Sequence, residues 1–180
     1  LQVDELNNKY KVDVPLIFMN SFYTHDETER IIGKLPGTSE ILSFCQNRYP
    51  RLLEDCSGFL DPKNLNADAW YPPGHGDLYS CLVKNGYLDR LIREGREYLF
   101  ISNADNLGAV IDLKILNFII NEDIPFLMEV TPKTYADTKG GVLYQEKDQM
   151  KLLEIANVPA EHIPEFCGNQ KFKAFNTNNL

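Results

Sequence analysis

The sequence lacks the features that define several specialised classes of protein. No apolar run approaches the roughly 18 residues that a membrane-spanning helix needs, and the longest are short patches such as Val14 to Met19 and Leu116 to Ile120. The four cysteines form no C-x-x-C pair, so neither a disulfide framework nor a zinc knuckle is indicated. There is no internal repeat and no low-complexity tract. We therefore expect no membrane partner and a reducing compartment, the cytoplasm.

Positive charge is also scarce. The 180 residues contain 18 Lys and Arg against 26 Asp and Glu, which gives a net charge of -8. This balance disfavours nucleic acid or an anionic membrane as a partner. A phosphate-bearing ligand would have to be held locally, by backbone amides, a metal ion or a few chosen cations. With 43% hydrophobic residues, the chain is long enough to bury a real core as one domain, or most of one.

Short apolar runs alternate with amphipathic segments along the chain. Val14 to Met19 is predicted to be a central strand buried on both faces, followed by a helix over Thr24 to Leu35 and a strand over Glu40 to Gln46. A long irregular stretch runs from Arg51 to Gly76, and such loops are usually functional or disordered. The remaining predicted helices are Asp77 to Lys84, Tyr87 to Arg93, Val110 to Asn121 and a short one after Pro159, and the remaining predicted strands are Glu97 to Ser102, Phe126 to Thr131, Gly141 to Gln145 and Lys151 to Ala156.

This order of elements predicts an α/β fold with parallel strand pairing and helices on both faces of the sheet. In such sheets, ligands bind beyond the carboxyl ends of the strands. Three polar clusters follow predicted strands, namely Met19 to Ser21, Gln46 with Asn47, and Asn103 to Asn106. We expect them to converge on one cleft.

The segment Trp70 to Asp77, WYPPGHGD, carries the densest chemical signal. Two prolines stiffen it, and its glycines allow a backbone to approach a ligand closely. Gly74 could lie against a flat base while His75 meets a phosphate. The alternative is a tight turn in which Asp77 caps the following helix.

Asp105 follows a predicted apolar strand, where a carboxylate is both fixed and reachable by solvent. One carboxylate suits a magnesium ion that is shared with a substrate's phosphates. The alternative is that Asp105 caps the next helix while Asn103 and Asn106 satisfy loop backbone groups.

Three further segments suit a sugar or phosphate. Lys139-Gly140-Gly141 could cradle either one, although a glycine pair before a strand is as often a bulge or a turn. Glu154 lies in the apolar segment LLEIA, where an unpaired carboxylate is costly to bury, so a ligand hydroxyl is a candidate partner. The segment Phe175 to Asn179 supplies amides that both donate and accept, although asparagine-rich loops are common.

The sequence resembles the eukaryotic UTP–glucose-1-phosphate uridylyltransferases through VPLIFMNSF, FCQNRYPR, WYPPGHGD, SNADNLGA, MEVTPKTYADTKGG, LLEIANVP and FNTNN. These motifs follow one another over nearly all 180 residues. The resemblance implies a Rossmann-like nucleotide-diphospho-sugar transferase core with a mixed, mostly parallel sheet. It also implies uridylyl transfer from UTP to glucose-1-phosphate, giving UDP-glucose and pyrophosphate.

The resemblance also implies roles for individual residues. Gln46 and Gly74 would contact the uracil, His75 the phosphate and sugar region, and Asn103 the glucose. Asp105 would hold Mg2+ and the phosphates, with Asp105 and His75 as the catalytic residues. The sugar pocket would be lined by Gly140, Glu154, Asn176 and Asn178.

Some parts of the family pattern have no counterpart in these 180 residues. The glycine-rich phosphate loop, a later phosphate-binding lysine and the C-terminal β-helix domain are missing. We therefore expect residues 1–180 to be part of a single catalytic domain, with an incomplete fold and no activity alone. The alternatives are a UDP-N-acetylglucosamine or broad-specificity UDP-sugar pyrophosphorylase, and a truncated, non-catalytic protein that binds uridine nucleotides. The sequence indicates no oligomeric state.

Overall fold

The computed structural model describes residues 2–60, 63, 67–138 and 140–180. The chain divides into two compact units, Leu1–Glu97 and Tyr98–Leu180. Helices and strands occur in both units, which confirms the mixed α/β class. Within the described ranges, no helix has the length and apolar character needed to cross a membrane.

A parallel strand pair organises the first unit. β1 (Leu16–Asn20) and β2 (Ile41–Cys45) pair from Leu16 opposite Ile41 to Asn20 opposite Cys45. Parallel neighbours need a crossover connection, and α2 (His25–Ile32) supplies it. Acidic residues in the first turn and Arg30 in the last favour this helix. A helix that the sequence did not predict, α1 (Gln2–Tyr10), precedes β1.

The remaining elements of the first unit follow β2 in the chain. A short antiparallel pair, β3 (Tyr49–Pro50) and β4 (Trp70–Tyr71), is followed by α3 (Leu78–Lys84) and α4 (Tyr87–Arg93). Phe44, Cys81 and Leu82 form the buried core, with Ile17, Met19, Leu78 and Tyr87 packed against them. The Tyr87 hydroxyl donates to the Ser43 carbonyl oxygen at 3.0 Å, so the core ties α4 to β2.

An antiparallel sheet organises the second unit. Its strand order is β5 (Val130–Pro132), β8 (Ala174–Asn176), β6 (Gly141–Glu146) and β7 (Gln149–Glu154). The two-residue turn Lys147-Asp148 joins β6 to β7, and so short a connection makes the pair antiparallel. The helices are α5 (Leu113–Asn121) and α6 (Ile163–Cys167). Val142 and Phe166 are its most deeply buried large side chains.

The prediction of a mostly parallel sheet does not match the described residues, in which β1–β2 is the one parallel pairing. The alternation of strands and helices ends at β2, because β3 and β4 are the next strands and α3, α4 and α5 then follow one another without a strand between them. The predicted central position of Val14 to Met19 also differs. In the described part of the chain β1 pairs with β2 alone, and its residues from Leu16 to Met19 are only partly buried.

The predicted strand over Glu97 to Ser102 is wrong. This segment forms no strand in the structure, and Tyr98, Leu99 and Phe100 are 43–47% exposed. Ile101 alone is paired, exchanging two backbone hydrogen bonds of 2.9 and 3.0 Å with Leu180. An apolar run shows that a segment prefers burial, but not that a neighbouring strand is available to bury it.

Other predicted elements form with shifted boundaries. The helix expected from Val110 begins at Leu113, because the Asp112 carboxylate caps it by accepting from the Lys114 amide at 2.7 Å. The strand expected over Phe126 to Thr131 spans Val130–Pro132. The irregular stretch from Arg51 to Gly76 contains β4 and a 3₁₀ turn at Ala67–Ala69.

Candidate active site

A cleft opens at the carboxyl ends of β1 and β2. Its volume is about 400 Å³, and its lining residues are Phe22, Cys45, Gln46, Asn47, Arg48, Lys84 and Asn85. Two of the three predicted polar clusters meet here, since the Gln46 amide donates to the Asn20 carbonyl oxygen at 2.8 Å. Asn103 to Asn106 belong to the second unit, and their convergence on this cleft stays a prediction. The cleft has the position expected of a ligand site beside a parallel strand pair.

Gln46 and Gly74 lie together although 28 residues separate them. The Gly74 amide donates to Gln46 Oε1 at 2.7 Å. Because only the oxygen of the side-chain amide can accept this hydrogen bond, the orientation of Gln46 is set, and its NH₂ group is left to donate elsewhere. Gly74 has φ 97° and ψ -167°, a conformation that is nearly restricted to glycine. No heavy atom lies within 4 Å of the position that its β-carbon would take.

His75 begins the short 3₁₀ turn His75–Asp77, whose Asp77 amide donates to the Gly74 carbonyl oxygen at 3.1 Å. Its side chain is exposed, and among the described residues its imidazole has no hydrogen-bond partner. Both ring nitrogens are therefore available to a ligand.

Asp77 does not cap α3 with its side chain. Its carboxylate instead accepts from the Asn47 amide N–H at 2.8 Å and from Asn47 Nδ2 at 2.9 and 3.0 Å. The Cys81 thiol donates to it at 3.1 Å. Partial burial raises the pKa of Asp77, but the hydrogen bonds from Asn47 and Cys81 outweigh it and hold that pKa below its ordinary value. This long-range arrangement leaves no local signal in the sequence.

Asp105 and Asn103 lie in one exposed turn. The Asn103 carbonyl oxygen accepts from the Asn106 amide at 3.1 Å, and the Asp105 carbonyl oxygen accepts from the Leu107 amide at 3.1 Å. Neither the Asp105 carboxylate nor the Asn103 side chain has a partner among the described residues. No group of three or more His, Cys, Asp or Glu side chains in the described ranges is placed to hold a metal ion. A single free carboxylate still fits Mg2+ shared with phosphates.

The buried side-chain amide of Asn179 links this turn to the residues that follow β8. Asn179 is 5% exposed, and its Oδ1 accepts from Asn106 Nδ2 at 3.4 Å. Its own Nδ2 donates to the Glu129 carboxylate, while the Glu129 amide donates to the Asn179 carbonyl oxygen at 2.9 Å. The sequence analysis named Asn179 only within the amide-rich segment Phe175 to Asn179 and did not single out Glu129, because their pairing is visible only once β5 and β8 are aligned.

The glycine pair and Glu154 meet across the β6–β7 hairpin. Gly141 is paired with Glu154, and a β-carbon added at Gly141 would lie 2.5 Å from Glu154 Oε1. A β-carbon at Gly140, which has φ 104°, would lie 3.0 Å from Phe175 Cζ. The Glu154 carboxylate is partly buried and has no hydrogen-bond partner in the described part of the chain. Lys139 lies outside the described residues.

Asn176 is the last residue of β8, and Asn178 lies beside it. Asn176 Nδ2 donates to Asn178 Oδ1 at 2.6 Å, and Asn176 Oδ1 accepts from the Asn178 amide at 2.9 Å. Asn176 is 7% exposed, and Asn178 has φ 59°. The pair forms a compact set of donors and acceptors without net charge.

Lys133 is another residue that the sequence analysis did not single out. It is 7% exposed, its Nζ donates to the Phe166 carbonyl oxygen, and the ammonium group lies 4.8 Å from the centre of the Phe166 ring. The carbonyl and the ring face stabilise the buried charge. Lys133 thereby ties the end of β5 to α6.

Comparison with known proteins points to one family. The family model described as UTP–glucose-1-phosphate uridylyltransferase matches residues 1–180. The uridylyltransferase of Saccharomyces cerevisiae is 52% identical over 99% of this chain, and that of Musa acuminata is 50% identical over 100% of it. The chain spans 36% and 39% of the lengths of these two relatives.

Solved structures similar to this chain point to the same family. A UDP-glucose phosphorylase from Trypanosoma brucei matches 99% of this chain with 36% identity and a TM-score of 0.86, and the match covers 40% of that protein. A variant of the Leishmania major UDP-glucose pyrophosphorylase, solved in complex with UDP-glucose, matches 99% of this chain with 34% identity and a TM-score of 0.85. That match covers 41% of the Leishmania protein.

Proposed function

Because the chain belongs to the UTP–glucose-1-phosphate uridylyltransferase family, we propose that the protein transfers the uridylyl group of UTP to glucose-1-phosphate. A phosphate oxygen of glucose-1-phosphate attacks the α-phosphorus of UTP in line. The bond from this phosphorus to the bridging oxygen breaks, and pyrophosphate leaves with the electron pair. UDP-glucose is the second product.

The nucleotide part of this proposal is carried by the 2.7 Å contact between the Gly74 amide and Gln46 Oε1 at the carboxyl end of β2. Gln46 and Gly74 contact the uracil: the Gly74 N–H donates to Gln46 Oε1, and the NH₂ group of Gln46 is left to donate to a uracil carbonyl oxygen. The open space beside Gly74 leaves room for a flat base. His75, adjacent in the chain, donates to the phosphate that joins nucleoside and sugar.

Transfer is direct, without a covalent enzyme intermediate. Cys45, which lines the cleft, carries a side chain of a nucleophilic type, a thiol. Burial raises the pKa of its thiol, and the nearby carboxylates of Asp26 and Glu29 raise it further. A protonated thiol is a poor nucleophile, so the residues of the cleft act by positioning the substrates and stabilising charge.

The second unit binds the metal and the sugar. Asp105 holds Mg2+, which when bound neutralises charge on the transferring phosphoryl group. Asn103, in the same turn, binds a glucose hydroxyl. Glu154 accepts from another hydroxyl beside Gly140, since its carboxylate lies free across the hairpin. Asn176 and Asn178 complete the sugar pocket with neutral donors and acceptors.

Residues 1–180 belong to one catalytic domain with a Rossmann-like core. The parallel pair β1–β2 joined by α2 supports this assignment. All four cysteines are free thiols, which favours a reducing compartment such as the cytoplasm.

The test is turnover by the full-length protein with UTP and Mg2+, comparing glucose-1-phosphate with N-acetylglucosamine-1-phosphate. We expect a clear preference for glucose-1-phosphate, and preference for the acetylated sugar would refute the assignment. Asp105→Ala should lower turnover by about 10²–10³-fold, the scale of losing a main electrostatic stabiliser. Asp148→Ala is the matched control, because Asp148 is exposed in the β6–β7 turn. Unchanged magnesium-dependent turnover in Asp105→Ala would refute the role of Asp105 in binding the metal.

A further inference from the structure

Asp77, at the N-cap of α3, and two residues of α3 hold the side chain of Asn47, the residue that follows Gln46. Asp77, Cys81 and Lys84 recur at spacings of four and three residues, which places them on the same side of a helix. All three contact the side chain of Asn47: the Asp77 carboxylate at 2.9 and 3.0 Å, Cys81 Sγ at 3.4 Å, and Lys84 Nζ at 2.7 Å. The Asn47 side chain is thus held through both its nitrogen and its oxygen.

The same carboxylate also fixes the backbone beside Gln46. The Asn47 amide donates to Asp77 Oδ2 at 2.8 Å, and the Asp77 amide donates to the Gly74 carbonyl oxygen at 3.1 Å. Together with the 2.7 Å hydrogen bond from the Gly74 amide to Gln46 Oε1, these contacts close a ring. Its two sides are the segments 46–47 and 74–77.

We propose that Asp77 is a positioning residue of the uracil site, which sets the distance and orientation between the Gln46 side chain and the Gly74 amide. The inference rests on the proposed uridylyl transfer. Asp77 is not among the residues that line the cleft, so it acts through Asn47 and Gly74 and need not touch the nucleotide. Without its carboxylate, the direct link between the two segments is reduced, among the described residues, to the hydrogen bond from the Gly74 amide to Gln46 Oε1, while Cys81 and Lys84 still hold Asn47 to α3.

The test uses Asp77→Ala, Asp77→Asn and the control Asp89→Ala in the full-length protein. Asp89 is exposed on α4 and has no partner among the described residues. We expect Asp77→Ala to raise the KM for UTP and the Kd for UDP-glucose by about tenfold, since hydrogen bonds to a charged group are among the stronger ones. The KM for glucose-1-phosphate and the kcat at saturating UTP should stay within about twofold of the control. Asp77→Asn keeps one oxygen acceptor, so its KM for UTP should be intermediate.

A purely structural role would change other quantities. It would lower the active fraction, and hence kcat, or raise both KM values together, and either result would overturn the inference. A KM for UTP in Asp77→Ala within twofold of that in Asp89→Ala would also overturn it. Should Asp77→Ala fail to fold, the same KM comparison in Asp77→Asn decides. A wild-type protein that does not turn over UTP would overturn the proposed function itself, and the inference with it.

Discussion

Gly74→Ala tests whether the backbone of the WYPPGHGD segment is strained for binding. At φ 97° and ψ -167° a β-carbon costs on the order of 1–3 kcal/mol. No atom lies within 4 Å of the added carbon, so steric contact adds nothing to this cost. The protein has two ways to absorb it. Either the segment keeps its conformation and the folded state loses this free energy, or the backbone relaxes and the contact with Gln46 is lost.

Both routes are measurable in the full-length protein. In the first, the free energy of unfolding in urea falls by about 1–3 kcal/mol while nucleotide binding is kept. In the second, stability is kept and the Kd for UDP-glucose rises by roughly 5- to 150-fold, the equivalent of the same energy. Isothermal titration calorimetry and urea unfolding together cover both outcomes.

Gly76→Ala is the matched control. Gly76 lies two residues further on, its φ is outside the positive range, and no atom lies within 4 Å of its added β-carbon. Alanine there should be neutral or slightly stabilising, because it restricts the unfolded chain. If Gly74→Ala equals Gly76→Ala in both stability and UDP-glucose affinity, the reasoning about the Gly74 backbone is refuted.

Two further predictions concern the second unit. Gly141→Ala places a β-carbon 2.5 Å from Glu154 Oε1 and 2.8 Å from Leu152 Cδ1. It should displace Glu154 and raise the KM for glucose-1-phosphate about tenfold, and it should lower the free energy of unfolding by about 1–3 kcal/mol. The control is Gly58→Ala, whose added β-carbon has no atom within 4 Å, and an equal KM in the two variants would contradict the prediction. Asn179→Ala removes a buried side chain and its two hydrogen bonds, one from Asn106 Nδ2 and one to the exposed Glu129 carboxylate, and should lower the free energy of unfolding by about 1–3 kcal/mol in urea. Asn121→Ala, at an exposed helix end, is its control, and equal stability of the two variants would show that the network contributes nothing.

Local chemistry explains which parts of the fold were predictable. β1, α2 and β2 carry their own signals, an apolar run or an amphipathic stripe with turn residues on either side, and all three form where expected. The segment from Glu97 to Ser102 carries the same apolar signal as β1 but forms no strand. A strand depends on a partner edge, and that information lies far away in the sequence. The antiparallel pairing of β5, β8 and β6 is of the same kind.

In the candidate site, too, single residues could be predicted from local sequence, whereas the contacts between them could not. Gln46, Gly74 and Glu154 attract attention because an amide after a strand, a glycine between prolines and histidine, and a carboxylate in an apolar run are each unusual locally. The residues themselves suggested a base beside Gly74 and a ligand hydroxyl at Glu154, the role of Gln46 came from the family resemblance, and all three roles stay predictions. The contact between Gln46 and Gly74 spans 28 residues and required the fold. The sequence predicts Asp77 as a possible helix cap, because the residue that donates to its carboxylate, Asn47, is 30 residues away in the chain.

The β6–β7 hairpin restricts how this region can evolve. Gly141 and Glu154 are opposite each other only while every pair from there to Glu146 opposite Gln149 keeps its register. An insertion or deletion of one residue inside β7 would turn Glu154 to the other face of the sheet, because side chains alternate along a strand. An insertion in the Lys147-Asp148 turn can instead be absorbed as a longer loop that leaves the pair in place. Natural length variation among relatives should therefore concentrate at that turn and spare both strands.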